Sequence, residues 1–329
     1  MKQELLFLSG NDIRQALSMR EAIEAMRSAF IQLSSGEAQV ALRTRLDLNG
    51  KDDCALFMPV YLPREEKVAV KTVTFLPNNP QKGLPAIHAL VSVFDAANGQ
   101  PLAVLDGEVL TALRTGAASG LATDLLAAEE AAVLALFGAG VQARTQFQAI
   151  RTVRPINKVL IVDTDEQKAQ LLAEEIRSRF PHVAAESVSA EAAAAQAEII
   201  CTVTTSRQPV FQDSWLKQGV HINGVGSFRP DMQEIPAETV QRAALFVDSR
   251  EACLQEPGDI IIPLQQGLID KSHIRAEIGE VAAGRVAGRK KPDEITFFKS
   301  VGNGVQDLAA AAAAIRNAGK LKLGQKVTI

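Results

Sequence analysis

The stretch Ala131 to Thr145, AAVLALFGAGVQART, limits what this chain can fold into more than any other. Val133 to Phe137 is an apolar run too short for a helix and bounded by glycine, which reads as a fully buried strand. Gly138, Gly140 and Ala143 follow as a G-x-G-x-x-A turn, and QARTQFQAIRTV behind them has the texture of a helix. The first glycine allows a tight turn, the second lets the backbone approach a pyrophosphate, and the small Ala143 lets helix and strand pack closely. Val141 and Gln142 open that helix, whose first N–H groups are available to an anion. The next strand, KVLIV, ends on Asp163, 20 residues past Ala143. An acidic side chain at that spacing accepts hydrogen bonds from the adenosine ribose hydroxyls. A glycine motif alone is weak evidence; in the order strand, turn, helix, strand, acid it predicts dinucleotide binding.

Beyond Asp163 the pattern goes on alternating. A helix (EQKAQLLAEEIRSRF), a short strand near Ala184, a helix (AEAAAAQA) and the strand AEIICTVTT lead to the segment around Trp215, then VHINGVG and ALFVDS. Such alternation predicts an α/β fold, a doubly wound, Rossmann-type parallel sheet with helices on both faces. Ligands of these sheets bind beyond the carboxyl ends of the strands. Thr204 and Val225 lie at two such ends, so both are expected to border the cofactor, and Thr115 and Ser300 are assigned to the same site.

The N-terminal third reads differently. Ser9-Gly-Asn-Asp12 and Ser18-Met-Arg-Glu21 fit capping boxes, the second before apolar residues at helical spacing. That helix is expected to stop near Ser34-Ser35-Gly36. From Val40 to Phe94 come short β-like runs (VALRTRLDL, CALFMPVYL, VAVKTVTFL, AIHALVSVF), then a hairpin loop at Asp95–Gly99 and PLAVL. This is an α+β unit with a largely antiparallel sheet. The C-terminal KSVGNGVQDLAAAAAAI places a glycine-rich turn before a helix outside the βα alternation, which is expected to return to the N-terminal unit. The domains are therefore expected at 1–117 with 301–329, and at 118–300, with hinges near 118 and 300.

Alternation groups Lys71 with Ala69, Val73 and Phe75. A lysine on an apolar strand face is costly unless it has a partner or borders a cavity; an edge lysine that blunts aggregation is the other reading. Arg114 is placed where a helix of small residues begins, and Arg43 precedes Thr44 on an early strand; taken singly, each reads as a surface residue. His88 reads as a buried, hydrogen-bonded histidine.

At 329 residues the chain has length for two domains, and with 22% charged residues and a formal net charge of −3 it has no basic excess to suggest nucleic acid. MKQELLFLSG lacks the features of a signal peptide, and no apolar run approaches the ~20 residues that cross a bilayer. Cys54, Cys201 and Cys253 lie far apart, with no histidine cluster, so a disulfide framework or zinc site is not expected and a cytoplasmic setting is.

Across nearly its whole length the chain resembles the ornithine cyclodeaminase/μ-crystallin family. The matching stretches are VAVKTVTF, the run from GLPAIHALVSVFDAANGQPLAVLDG to TALRTGAASGLAT, FGAGVQA, HINGVGSFRPDMQE and FKSVGNGVQDLAAA. The resemblance implies a homodimer with an α+β substrate-binding and dimerisation domain beside the Rossmann domain, catalysis in the cleft between them, and a nicotinamide cofactor. It places Arg43 and Arg114 on the substrate carboxylate and Lys71 beside the reacting C–N bond. Gly138, Gly140, Ala143 and Asp163 fall on the family's dinucleotide positions.

One departure bears on the subfamily. Cyclodeaminases carry an aspartate two residues before a proline in the loop after the glycine-rich strand; here that position is Phe228, and Asp231 follows Pro230. A second acidic position of theirs is Leu56. An unpaired buried δ-ammonium would be expensive in such a site, so the chain resembles the ketimine reductases instead. The expected reaction is reduction of Δ1-pyrroline-2-carboxylate to L-proline, or of the six-membered homologue to L-pipecolate. Alanine dehydrogenase is the alternative, ahead of ornithine cyclodeaminase and a non-catalytic binding protein. Asp163 would repel the 2′-phosphate of NADP, which favours NADH, with NADPH as the second choice.

Overall fold

The computed structural model describes residues 3–41, 43–49 and 53–329. The chain divides into two compact units, Met1–Arg114 with Asn303–Ile329, and Thr115–Gly302.

The first unit contains β1 (Glu4–Leu8), α1 (Gly10–Ala16), α2 (Met19–Ser34), β2 (Gln39–Val40), β3 (Thr44–Asp47), β4 (Cys54–Leu62), β5 (Lys67–Phe75), β6 (Ile87–Asp95) and β7 (Pro101–Asp106). Ser9 and Ser18 cap α1 and α2, each in a reciprocal capping box with Asp12 or Glu21. The expected strand VALRTRLDL is broken into β2 and β3, both antiparallel to β4; its Leu42 lies outside the described residues. The hairpin loop at Asp95–Gly99 turns through Asp95, whose carboxylate accepts the N–H groups of Ala97 and Asn98, and through Gly99 at φ +78°.

α3 (Gly107–Leu126) starts seven residues before Arg114, not beside it. The Asp106 carboxylate accepts the N–H groups of Glu108 and Val109, each at 2.9 Å, and so caps the helix where the sequence reading put none. Gly107 is required there: a Cβ would lie 2.7 Å from the Ala89 backbone. Residue 118 falls inside this continuous helix.

The second unit continues with β8 (Val133–Phe137), α4 (Val141–Val153), β9 (Lys158–Val162), α5 (Glu166–Arg179), β10 (Ala184–Ser187), α6 (Ala190–Gln196), β11 (Ile199–Thr202), β12 (His221–Gly224), α7 (Ala237–Arg242), β13 (Ala244–Val247), α8 (Arg250–Cys253), α9 (Gly258–Gln265), β14 (Ile274–Glu277), α10 (Ile278–Ala282) and β15 (Thr296–Lys299). Its strands lie in the order β10-β9-β8-β11-β12-β15-β13-β14, every pair parallel. The first five reproduce the doubly wound order, with the strand order reversing between β8 and β11, and β15 is inserted between β12 and β13. Cores of Ala, Val, Ile, Leu and Phe cover the sheet, and buried strands such as IICT and ALFV read as runs rather than alternations because helices cover both faces. The segment around Trp215 is a short 3-10 turn.

α11 (Gly304–Leu321) and β16 (Gln325–Thr328) belong to the first unit. Its sheet runs β16-β1-β7-β6-β5-β4-β2, with β3 also on β4; the pairing is antiparallel except between β1 and β7. β1 and β16, to which the sequence pattern assigned nothing, form one edge. α11 packs on α1, α2 and β4–β6. Thirteen of its residues are buried, six of them the consecutive alanines Ala309–Ala314, so the alanine run exists to let the helix lie close on its neighbours. No helix among the described residues is long and apolar enough to cross a membrane.

Candidate active site

Lys71 sits at the middle of β5, opposite Met58 on β4 and Val91 on β6. β5 is an interior strand, so the aggregation-blunting edge lysine is ruled out. The side chain shares a face with the fully buried Ala69 and is itself only 3% exposed, which demands a partner.

That partner comes from the other end of the sequence. Asn303 accepts the N–H of Val305 and so caps α11. Gly304 lets the helix start directly on the sheet: a Cβ there would lie 2.9 Å from the Val60 side chain. The first turn thereby carries Asp307 to Lys71, with Nζ 2.7 Å from Oδ2. Arg114 Nε donates to the other oxygen, Oδ1, at 3.0 Å, and Arg114 Nη1 donates to Gln306 Oε1. Arg43, half-buried just before β3, is close enough to act electrostatically on Lys71. The structure therefore brings Lys71 and Arg114 together on the Asp307 carboxylate, with Arg43 near enough to act on Lys71. Positive charge gathered in this way suits an anionic ligand.

The Lys71 pKa is lowered from 10.5 to about 8. Burial is the largest cause; Asp307 opposes it, and Arg114 and Arg43 push the same way as burial. The sequence reading named neither Asp307 nor Gln306. Their signal was a polar pair at the start of an alanine-rich helix whose first eleven residues are buried.

His88 is hydrogen-bonded, as its sequence reading has it, but is not buried. It is exposed, with Nδ1 3.1 Å from the equally exposed Glu108 carboxylate. β6 leaves Ile87 and Leu90 exposed as well, so the apolar residues around His88 signalled an uncovered strand rather than a core.

In the second unit Gly138 has φ +104°, and a Cβ would meet the Val203 carbonyl at 2.9 Å. Only glycine fits. Gly140 caps α4 without a side-chain hydrogen bond, at φ −76°, and a Cβ there would have no heavy atom within 4 Å. Nothing in the protein requires that glycine; the room beside it is what an approaching diphosphate needs, next to the uncapped first turn holding Val141, Gln142 and the fully buried Ala143. Asp163 accepts the Ala139 N–H at 2.7 Å and the Asp165 N–H at 2.9 Å, so its carboxylate lies against the glycine turn. These residues fit a dinucleotide.

The remaining assigned positions are held by their own unit. Thr204 donates through N and Oγ1 to Glu234; the Val225 N–H donates to the Thr202 carbonyl at 3.0 Å; Ser300 Oγ donates to Asp248 at 2.9 Å. Thr115 is buried on α3, one residue before Gly116, where a Cβ would lie 2.6 Å from the Thr145 carbonyl of α4. In the loop after β12, Asp231 pairs with Arg229 and Arg207, while Phe228 stands 46% exposed. Leu56 lies half-buried on β4.

The chain is similar to known proteins over almost its full length. The family model described as ornithine cyclodeaminase/mu-crystallin family matches residues 3–320. A Delta(1)-pyrroline-2-carboxylate reductase of Bacillus cereus is 38% identical, covering 98% of this chain and 99% of its own. The structure of Thermococcus litoralis Delta(1)-pyrroline-2-carboxylate reductase in complex with NADH and L-proline superposes with a TM-score of 0.93 at 42% identity, over 98% of this chain and all (100%) of that one. An archaeal alanine dehydrogenase dimer with bound NAD gives 0.92 at 34%, over 99% of each chain. This chain belongs to the ornithine cyclodeaminase/mu-crystallin family.

Proposed function

We propose that this protein reduces Δ1-pyrroline-2-carboxylate to L-proline with NADH. The observation that carries the reading is the buried lysine near its titration point, held between one carboxylate and two arginines, in a chain whose similar proteins include a reductase solved with NADH and L-proline.

Arg114 uses Nε and one Nη1 hydrogen on Asp307 and Gln306. Its remaining hydrogens, on Nη1 and Nη2, form an end-on pair that takes a carboxylate at two points. Arg43 adds charge to the same anion. Gly138, Gly140, the first turn of α4 and Asp163 would hold the diphosphate and adenosine ribose of a nicotinamide dinucleotide, which would supply hydride for C2 of the ring. Lys71 supplies the proton: its ammonium gives one to the imine nitrogen, which becomes the amine as C=N becomes CH–N. Asp307 then favours uptake of a proton from water, restoring the ammonium. A pKa of about 8 suits that cycle near neutral pH. Asp163 favours NADH over NADPH by repelling a 2′-phosphate. Leu56 and Phe228 leave no acid for a δ-ammonium, which argues against ornithine.

A homodimer is part of this reading. By strand register Phe7, Leu90 and Val327 share the sheet face opposite Lys71, and all three are exposed, at 41%, 54% and 43%. A second copy would cover them. The three cysteines are free and buried, in keeping with a cytoplasmic enzyme.

Alanine dehydrogenase is the second reading, favoured by the likeness to the archaeal enzyme. Following NADH consumption with Δ1-pyrroline-2-carboxylate, Δ1-piperideine-2-carboxylate, and pyruvate with ammonia separates the readings. The proposal expects the five-membered ketimine to have the highest kcat/KM and L-proline to be the product. A higher value for pyruvate with ammonia would replace it.

A further inference from the structure

Glu234 is a fully buried carboxylate that the proposed chemistry does not use. It lies in the segment between β12 and α7 and accepts five hydrogen bonds, three from the end of β11 and the residues after it and two from the start of its own segment. Oε1 takes the N–H of Thr204 at 2.6 Å and its hydroxyl at 2.8 Å. Oε2 takes the Thr202 hydroxyl at 2.9 Å, the Gly226 N–H at 2.7 Å and the Ser227 N–H at 3.0 Å. Thr202 ends β11, Thr204 lies just beyond it and residues 225–227 follow β12, so one side chain pins the carboxyl ends of two adjacent parallel strands.

Packing around it is specific. A Cβ at Gly226 would lie 2.5 Å from Glu234 Oε1 and 2.1 Å from the Thr204 carbonyl. The carboxylate therefore occupies the space that a side chain at 226 would take. The neighbouring Val203 carbonyl lies against Gly138, as its 2.9 Å approach to an added Cβ shows. Glu234 is braced in turn: its own N–H and that of Ile235 donate to Asp259 Oδ1 at 2.7 and 3.1 Å, and Lys299 Nζ donates to Asp259 Oδ2 at 2.9 Å. Burial and the Asp259 carboxylate push the Glu234 pKa up, while Lys299 and the Thr204 bonds pull it down; such a group is retained only where its hydrogen bonds are needed.

Strand order says which part of a ligand these loops meet. The order in which strands are added reverses between β8 and β11. β8, β9 and β10 form the first mononucleotide half, with the glycine turn and Asp163, and β11 and β12 belong to the second. We infer that Glu234 is a positioning residue that shapes the nicotinamide half of the cofactor site by holding the loops of Thr204 and Val225 in register with the glycine turn. This rests on the proposal that the second unit binds NADH.

The test uses the whole enzyme and needs no substrate. Glu234→Gln keeps the shape but puts an NH2 group against N–H donors on one side. NADH binding, followed by its fluorescence, is expected to weaken at least tenfold, whereas 5′-AMP, which needs only the first half, keeps its affinity within twofold. Glu234→Asp, which retains the acceptor, is expected to recover part of the loss, and in turnover the KM for NADH rises more than kcat falls. Thr202→Val removes a single donor without changing shape and is expected to weaken NADH two- to fivefold; it decides the matter if Glu234→Gln does not fold. Unchanged NADH affinity in Thr202→Val and in any folded Glu234→Gln overturns the inference, as does equal loss of NADH and 5′-AMP. A wild-type chain that binds neither overturns the cofactor assignment with it, and binding of NADH without ketimine reduction overturns only the assigned reaction.

Discussion

Replacing Asp307 by Asn tests the proposed chemistry where it is most exposed. Asp307 is the one carboxylate holding Lys71 and Arg114, and Asn keeps its size while removing its charge. At 2.7 Å and an effective dielectric near 20, the ion pair with Lys71 is worth about 6 kcal/mol before solvation is counted. That is a ceiling of roughly 4 pK units. Breaking a buried pair costs about 3–5 kcal/mol in practice, so a fall of at least ~2 units is expected, taking Lys71 from about 8 to about 6 or below. The sign follows from the proton's role. Reduction needs the ammonium, so wild-type kcat/KM falls as pH rises through about 8; in the variant the same fall comes about 2 units earlier. Oxidation of L-proline needs the free amine, so its rate rises through about 8 in the wild type and is already on its plateau at neutral pH in the variant. Initial rates in both directions across pH 5–10 check this, with thermal unfolding followed in parallel to exclude loss of fold. If the folded variant keeps both inflections at the wild-type pH, Lys71 is not the proton donor.

The other predictions are separable. Lys71→Ala should lower kcat by about 100-fold or more, in line with loss of a general acid, while NADH affinity stays within twofold by fluorescence; a near-normal rate would remove Lys71 from the mechanism. Gly140→Ala has no heavy atom within 4 Å of the new methyl group and no backbone strain, so unfolding free energy should move by less than about 0.5 kcal/mol while NADH binding falls at least tenfold. Gly116→Ala should do the opposite, because its methyl group would sit 2.6 Å from the Thr145 carbonyl; a loss of about 1–3 kcal/mol is expected by denaturant titration. Asp163→Ser should narrow the preference for NADH over NADPH by about tenfold through loss of one charge repulsion, read as a ratio of kcat/KM values.

How far the sequence carried these conclusions depends on how local the cause was. The glycine turn, the strands around it and both capping boxes were legible because turn chemistry and hydrophobic period act within about ten residues of each other. Lys71 was legible only as a question. Alternation put it on the apolar face of β5, yet deciding between an edge and an interior position needed β4 and β6 on either side of it. β1 and β16 failed for the same reason. Each is a short strand whose partner lies across the sequence, Glu4 opposite Thr328, with too little alternation of its own to announce it.

Asp307 is the instructive omission, since it decides the electrostatics of the site. It sits 193 positions from Arg114 and 236 from Lys71, and no pairwise spacing rule reaches so far. What the sequence did contain was an inconsistency. α11 is buried throughout residues 304–314 and carries a run of six alanines there, so a glutamine and an aspartate in its first turn must be buried with it. Buried polar groups on such a helix need partners of complementary charge. The unexplained cations of the same unit were Arg43, Lys71 and Arg114, and the return of the C-terminal helix to that unit was already expected. Matching that buried acid to Lys71 and Arg114 would have assembled the core of the cluster before any coordinates. The same reasoning extends to Glu234, an acid beside the glycine-rich end of β12 whose partners include the Gly226 N–H, and to Asp259, whose partners are the N–H groups of Glu234 and Ile235 and the Lys299 ammonium.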